Sequence, residues 1–181
     1  MNSLLRGVNV YLIGMMGAGK TAIGRELAAQ LGYRFLDTDV VIEQAAGKSI
    51  TELFASVKEE GFRDLESQIL AKVCAYTNLV IATGGGIVTR QKNWSYLHHG
   101  LVVWLDVPVE LLYVRLVSDK TRPLLQDVDL LRRLRSLLEE RLPLYAQADL
   151  KVTASNEETP VQLAKRVLEE IPTVLRPNFQ N

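Results

Sequence analysis

Residues 8–21 constrain the fold of this chain more than any other stretch. An apolar run over residues 8–13 leads into the glycine-rich residues 14–19, and Lys20 and Thr21 then open a helical pattern. The motif Gly-x-x-x-x-Gly-Lys-Thr therefore stands between a predicted strand and a predicted helix, which is the setting of a phosphate-binding loop. Glycines let backbone N–H groups close around a phosphate, and the helix N-terminus adds positive dipole. We expect a nucleotide site here rather than an ordinary turn or part of a signal peptide.

The residue types of this loop match distinct tasks in phosphate binding. Lys20 would reach the β- and γ-phosphates, and the Thr21 hydroxyl would ligate Mg²⁺. The candidate ATP-binding residues of the loop are Gly17, Ala18, Gly19, Lys20, Thr21 and Ala22.

Composition limits the remaining classes of function. The 181 residues suit a single domain over 1–181, and 48% apolar with 23% charged residues is typical of a globular protein. The formal net charge is zero, so nothing in it favours nucleic acid or a membrane surface as a partner. Cys74 is the single cysteine, which excludes an internal disulfide, and no apolar run reaches the length of a membrane helix. We expect a cytoplasmic monomer.

Two aspartates follow the second predicted strand, over residues 35–37. Asp37 and Asp39 lie two apart, so on a strand both carboxylates would point to one face. Mg²⁺ and a substrate hydroxyl would relieve their repulsion. The alternative is a polar turn in which one aspartate caps the helix that follows. Their place beside the phosphate loop favours the functional interpretation.

Two arginines have both structural and functional explanations. Arg63 and Glu66 lie one turn apart at the start of a helix predicted over residues 62–76, where a surface ion pair would suffice. A cation is nevertheless disfavoured near a helix N-terminus, which hints at another role for Arg63. Arg141 is predicted to end its helix, where a cation suits the dipole.

The order of elements predicts the fold class. Apolar runs at residues 79–82 and 101–105 read as buried strands, and residues 150–153 alternate like an outer strand. Five strands alternating with helices predict an α/β, three-layer αβα fold with a five-stranded parallel sheet. Ligands in such sheets bind at the carboxyl ends of the strands, where Gly84, Gly85 and Gly86 follow the third strand. A flexible loop is the alternative for these glycines.

Other segments complete the outline. Residues 118–129 are polar and form the best candidate for a lid, with Arg122 as its best catalytic residue. Thr159 and Pro160 open the last helix, which Pro172 is predicted to end.

In combination these motifs resemble the shikimate kinases, P-loop kinases of the nucleoside-monophosphate-kinase fold. The resemblance covers nearly the whole chain and keeps the motifs in order. They are the phosphate loop at 14–21, Asp37-x-Asp39, Phe62-Arg63-x-x-Glu66, Gly84-Gly85-Gly86, Arg122-Pro123-Leu124-Leu125 and Arg141-x-Pro143-Leu144-Tyr145. It implies ATP-dependent phosphorylation of the shikimate 3-hydroxyl in the route to chorismate and aromatic amino acids.

The resemblance also implies roles on the donor side. Lys20 is catalytic, and Thr21 and Asp37 serve Mg²⁺, with Asp37 acting through water. Arg115 lies against adenine. Arg122 moves in with the lid and stabilises charge on the transferring phosphoryl group.

On the acceptor side, the resemblance makes Asp39 the base or orienting group for the hydroxyl. Arg63 and Arg141 hold the shikimate carboxylate, and Gly85 offers its N–H to the substrate. The implied substrate-binding residues are Asp39, Arg63, Gly84, Gly85, Gly86 and Arg141.

The implied shikimate-binding part spans about residues 40–66, with Phe54 and Phe62 as its apolar wall. Lys58 departs from the pattern, because many family members have glycine there, and residues 155–159 match too loosely to assign adenine contacts. Two alternatives remain open on the residues alone. One is a kinase for another small acceptor, such as gluconate or a nucleoside monophosphate, and the other is a nucleotide-binding module without turnover.

Overall fold

The computed structural model describes residues 4–117 and 129–175. The elements are β1 (Val10–Ile13), α1 (Lys20–Leu31), β2 (Arg34–Asp37), α2 (Thr38–Ala46), α3 (Ile50–Val73), β3 (Leu79–Ala82), a 3₁₀ turn (Ile87–Thr89), α4 (Gln91–Leu97), β4 (Leu101–Asp106), α5 (Val109–Leu116), α6 (Leu130–Tyr145), β5 (Leu150–Thr153) and α7 (Pro160–Val174).

The five strands form one parallel sheet in the order β2-β3-β1-β4-β5. Strands β1 and β3 are buried along their whole length, as their continuous apolar runs predict, and β5 alternates between buried and exposed residues. The predicted α/β class and five-stranded parallel sheet are confirmed. Because all strands run the same way, the segments after β1, β2 and β3 meet at one edge of the sheet.

Local sequence signals set the helix starts. Gly19 precedes α1 with a φ of 89°, a left-handed conformation that glycine adopts without strain. Ser49 opens α3 and Thr159 opens α7, each with a complete capping box. No helix in the described part of the chain is both long and apolar enough to cross a membrane.

Two helices continue past the predicted ends. Helix α6 runs through Pro143 to Tyr145, so Arg141 does not end it, and α7 runs through Pro172 to Val174. A proline removes one backbone donor, which is normally costly within a helix. Burial of Tyr145 next to the first proline and of Ile171 next to the second holds each last turn against the core.

Helix α4 was not predicted, because its sequence is short and mostly polar. Trp94 and Leu97, three residues apart, are both buried and anchor it to the core.

Helix α3 is kinked at Lys58, the position at which the resemblance implies glycine in many family members. Lys58 has φ 58° and ψ −176°, outside the helical region, while the residues on both sides are helical. This conformation is almost confined to glycine and costs other residues about 1–3 kcal/mol. The departure noted in the sequence therefore places a strained lysine at the joint between the two halves of α3.

We predict that Lys58→Gly stabilises the protein by about 1 kcal/mol, because relief of strain exceeds the added entropy of the unfolded chain. Urea denaturation would measure the change. Lys58→Ala is the control, since it removes the charge but keeps the strained backbone. Equal stability of the two variants would contradict the strain at this position.

Candidate active site

The phosphate loop connects β1 to α1 and holds its lysine inward. Lys20 is only 9% exposed, and its Nζ donates hydrogen bonds of 2.8 Å to both Gly14 O and Met15 O. The ammonium group therefore lies against the backbone of its own loop. This preorganises a positive charge where a nucleotide phosphate would bind.

The two aspartates at the end of β2 lie on different elements. The strand ends at Asp37, and Asp39 lies in the first turn of α2, so the expectation that both share one strand face is wrong. Asp37 Oδ1 accepts a 3.0 Å hydrogen bond from Asp39 N, which makes Asp37 the helix cap. Its Oδ2 accepts a 2.7 Å hydrogen bond from Thr21 Oγ1. Asp37 thus both caps α2 and contacts the phosphate loop.

Asp39 lines a pocket that the phosphate-loop residue Met16 also lines. We call it the acceptor pocket. This acceptor pocket collects the sequence-predicted residues of four separate elements. It is lined by Met16, Asp39, Ile50, Phe54, Phe62, Arg63, Glu66, Gly84, Gly85, Gly86 and Arg141. The rings of Phe54 and Phe62 are 4.4 Å apart and form an apolar wall.

A buried ion pair forms the floor of the acceptor pocket. Arg63 Nη1 lies 2.6 Å from Glu66 Oε2, and Glu66 is only 1% exposed. Arg63 Nη2 also contacts Glu59 Oε1 at 3.1 Å. Although burial disfavours its charge, these carboxylates raise the pKa of Arg63. The pair is therefore not the surface ion pair that the sequence alone allowed.

Glu66 is a site residue whose role the sequence reasoning missed. Burial raises the pKa of Glu66 against the opposing effect of Arg63, and the nearby Asp39 carboxylate raises it further. Its Oε1 has no hydrogen-bond partner within residues 4–117 and 129–175. The helical spacing of Arg63 and Glu66 was the available signal, but burial distinguishes this pair from a solvated one.

Close approach, rather than flexibility, requires two of the three glycines. A Cβ at Gly84 would overlap Glu66 Oε1, and a Cβ at Gly86 would overlap the Arg63 guanidinium. A Cβ at Gly85 would lie 3.3 Å from both Gly14 O and Met16 N, which is a tight contact with the phosphate loop. The segment after β3 therefore packs against the ion pair only without side chains at positions 84 and 86.

Helix α6 contributes Arg141 and Tyr145 to the same place. Arg141 is 5% exposed, and Tyr145, one turn later, is fully buried with its ring stacked on Trp104 at 5.7 Å. The Tyr145 hydroxyl donates a 2.7 Å hydrogen bond to Gly85 O. Burial raises the pKa of Tyr145, so the hydroxyl remains a donor. Tyr145 thereby fixes the middle peptide of the glycine segment.

A further pocket lies on the nucleotide side of the phosphate loop. It is lined by Gly17, Ala18, Gly19, Ala22, Ile23, Arg115, Ser155, Glu158, Pro160 and Leu163. Arg115 Nη1 donates a 3.1 Å hydrogen bond to Gly17 O. The loop residues and Arg115 thus lie together as predicted, whereas Ser155 and Glu158 were not assigned from the sequence.

Comparison with known proteins identifies the family. A family model described as shikimate kinase matches residues 16–172. A shikimate kinase from Nostoc sp. strain PCC 7120 is 63% identical over 181 residues, which is all of both chains. The chain belongs to the shikimate kinase family.

Solved structures agree with this membership. A shikimate kinase from Acinetobacter baumannii in complex with shikimate matches with a TM-score of 0.88 at 42% identity, over 92% of this chain and 93% of that one. A shikimate kinase from Bacteroides thetaiotaomicron matches with a TM-score of 0.84 at 35% identity, over 91% and 98%.

The predicted lid is the part of the site that the described residues do not include. Arg122 and residues 118–128 of the predicted lid lie outside the described residues. Asp129, the last residue of that segment, caps α6 by accepting a 3.1 Å hydrogen bond from Arg132 N.

We predict that Tyr145→Phe raises the KM for shikimate about 2- to 10-fold, because Gly85 loses the hydrogen bond that orients its peptide. The KM for ATP should stay unchanged. Steady-state kinetics with each substrate varied in turn would measure both constants.

Tyr33→Phe is the matched control, because the Tyr33 hydroxyl accepts a 3.0 Å hydrogen bond from Gly7 N at the other end of the sheet. It should leave both constants unchanged. An unaltered shikimate KM in Tyr145→Phe would contradict the orienting role.

Proposed function

We propose that this chain transfers the γ-phosphoryl group of ATP to the 3-hydroxyl of shikimate, giving shikimate 3-phosphate and ADP. One observation carries the proposal: the phosphate loop borders a nucleotide-side pocket and an acceptor pocket that holds an aspartate and two buried arginines. Membership in the shikimate kinase family supports shikimate over gluconate as the acceptor. It equally supports turnover over a module that only binds nucleotide. The reaction belongs to the route to aromatic amino acids.

The donor would bind along the phosphate loop. Backbone N–H groups of residues 17–22 and the Lys20 ammonium would hold the β- and γ-phosphates, as the motif does in P-loop enzymes. The purine would lie toward Arg115, which lines the nucleotide-side pocket. Lys20 would be catalytic because it contacts the transferring group.

Thr21 and Asp37 would hold Mg²⁺. The Thr21 hydroxyl and an Asp37 carboxylate oxygen lie 2.7 Å apart, and both are hard oxygen donors. This fits Mg²⁺, which commonly uses few protein ligands and keeps waters and substrate phosphates for the rest. When bound, the ion would neutralise charge that develops on the phosphate oxygens.

The two buried arginines would bind the carboxylate of shikimate. A planar guanidinium pairs with a carboxylate through two parallel hydrogen bonds. Among the described residues, Arg63 uses Nη1 for Glu66 and Nη2 for Glu59, so other N–H groups of its five remain for a ligand. Arg141 would complete the clamp, and the N–H of Gly85 would donate a hydrogen bond to the substrate.

Asp39 would orient the acceptor hydroxyl and accept its proton. It lines the acceptor pocket from the first turn of α2, and the phosphate-loop residue Met16 lines the same pocket. A carboxylate so placed can contact a hydroxyl that faces the γ-phosphate.

The remaining features rest on the resemblance and the sequence. Arg122 would stabilise charge on the transferring phosphoryl group, within a lid over residues 118–129. A single kinase domain over 1–181, a monomeric state and a cytoplasmic location stay predictions.

We predict that the purified protein with Mg²⁺ and ATP releases ADP when shikimate is added, and does not when gluconate is added at the same concentration. A coupled ADP assay would measure both rates. Release that is independent of shikimate, or faster with gluconate, would overturn the proposed function.

We predict that Asp39→Asn lowers kcat about 100-fold or more, because the amide cannot accept the hydroxyl proton. Asp64→Asn is the control, since Asp64 lies exposed on α3 and pairs with Arg90 outside the acceptor pocket. Normal turnover in Asp39→Asn would show that the base is wrongly assigned.

A further inference from the structure

The loop between β5 and α7 forms one side of the nucleotide-side pocket. Ser155 and Glu158 of this loop face the pocket together with Gly17 and Arg115. Residues 154–159 have no regular secondary structure, so their shape must be set by side-chain contacts. The resemblance places adenine contacts in this segment but matches residues 155–159 too loosely to assign them to individual residues.

A single arginine on α7 holds the loop from behind. Arg166 Nε donates to Glu158 Oε1 and Arg166 Nη2 to Glu158 Oε2, both at 2.8 Å. This is a bidentate pairing, the strongest form of an arginine–carboxylate contact. We call these two residues the Glu158–Arg166 clasp.

The clasp connects both ends of the loop. Arg166 Nη2 also donates a 2.6 Å hydrogen bond to Thr153 O, at the end of β5. Glu158 Oε2 accepts hydrogen bonds from Ser155 N at 3.2 Å and from Ser155 Oγ at 3.3 Å. One guanidinium therefore ties the last residue of the strand to the residue just before the cap of α7.

Charge supports the same geometry. The hydrogen bonds from Arg166 lower the pKa of Glu158, which favours the charged carboxylate that the pairing requires. Arg166 is itself absent from the lining of the pocket. Its effect on a ligand must therefore pass through the loop that it holds.

We propose that Arg166 is a positioning residue for the base of ATP, acting through Glu158 on the wall of the nucleotide-side pocket. The inference rests on the proposed function, because it takes this pocket as the site of the purine. The proposal divides the affinity for ATP between the triphosphate and the base. The phosphate loop binds the triphosphate, and the clasp shapes the surface that the base contacts.

The test compares two ligands that differ by the nucleoside. In Arg166→Met the Kd for Mg-ATP, measured by calorimetry, should rise about three- to tenfold, because the loop loses its charge-assisted contacts. The Kd for inorganic tripolyphosphate with Mg²⁺ should not change, since this probe has no base. Arg166→Lys should be intermediate, because it keeps the charge and loses the fork.

Lys165→Met is the matched control. Lys165 precedes Arg166 on the same helix, is exposed, and reaches only Glu169 at 3.8 Å among its described ion-pair partners. It should leave both dissociation constants unchanged. If Arg166→Met behaves like Lys165→Met, or weakens tripolyphosphate as much as ATP, the proposal is wrong.

Glu158→Gln tests the same contact from the other side and serves if Arg166→Met does not fold. The double variant Glu158→Gln/Arg166→Met should weaken ATP binding no more than the stronger single variant, because both single substitutions break the same Glu158–Arg166 pairing. Additive losses would overturn the clasp. Because the experiment measures binding, it remains informative even without turnover. Absence of shikimate-dependent ADP release would reject the proposed function. Unchanged ATP affinity in these variants would reject the clasp.

Discussion

The buried charge of Arg63 is the constraint on which the acceptor side of this molecule depends. A guanidinium that is 7% exposed must be paired, and Glu66 supplies the carboxylate at 2.6 Å. The pair in turn leaves no room for side chains at Gly84 and Gly86. The cost of burying two charges is offset only while their geometry is kept. Glycine backbone fills the space beside the pair, because a side chain there would displace it.

The kink in α3 also affects the surroundings of Arg63. The bend at Lys58 falls just before Glu59, which adds a second carboxylate to Arg63 at 3.1 Å. Without the bend, the first half of α3, which carries Phe54 of the pocket wall, would run in another direction. The strained lysine therefore lies where the direction of the helix matters for the pocket wall, and tertiary contacts keep a backbone conformation that lysine disfavours.

Structural features that depend on a few neighbouring residues could be predicted from the sequence. Features that depend on packing between distant segments could not. The helix start at Thr159 and the apolar run of β3 depend on neighbours in the chain, so they were predicted closely. The family was recognisable because the residue types and spacing of its motifs are specific. Asp39 lies on a helix because Asp37 ends its strand and caps α2. The alternative, in which the strand continues to Asp39, differs by only two residues, so the sequence did not distinguish the two.

Longer-range effects account for the other differences. Whether a helix passes Pro172 depends on how firmly Ile171 is held in the core, and no local pattern reports that. The surface ion pair expected for Arg63 and Glu66 is a buried one for the same reason. The wall formed by Ser155 and Glu158 was invisible because its shape comes from an arginine on the following helix.

Gly85 has a consequence that concerns both ligands at once. Its peptide is held by Tyr145 on one side and lies against Gly14 and Met16 of the phosphate loop on the other. The Gly85 peptide therefore lies between the phosphate loop and the acceptor pocket, which Gly85 lines. A shift of this peptide by a nucleotide on the loop would change the acceptor pocket, and the two binding equilibria would then be linked. Whatever factor ATP imposes on the affinity for shikimate, shikimate must impose on the affinity for ATP.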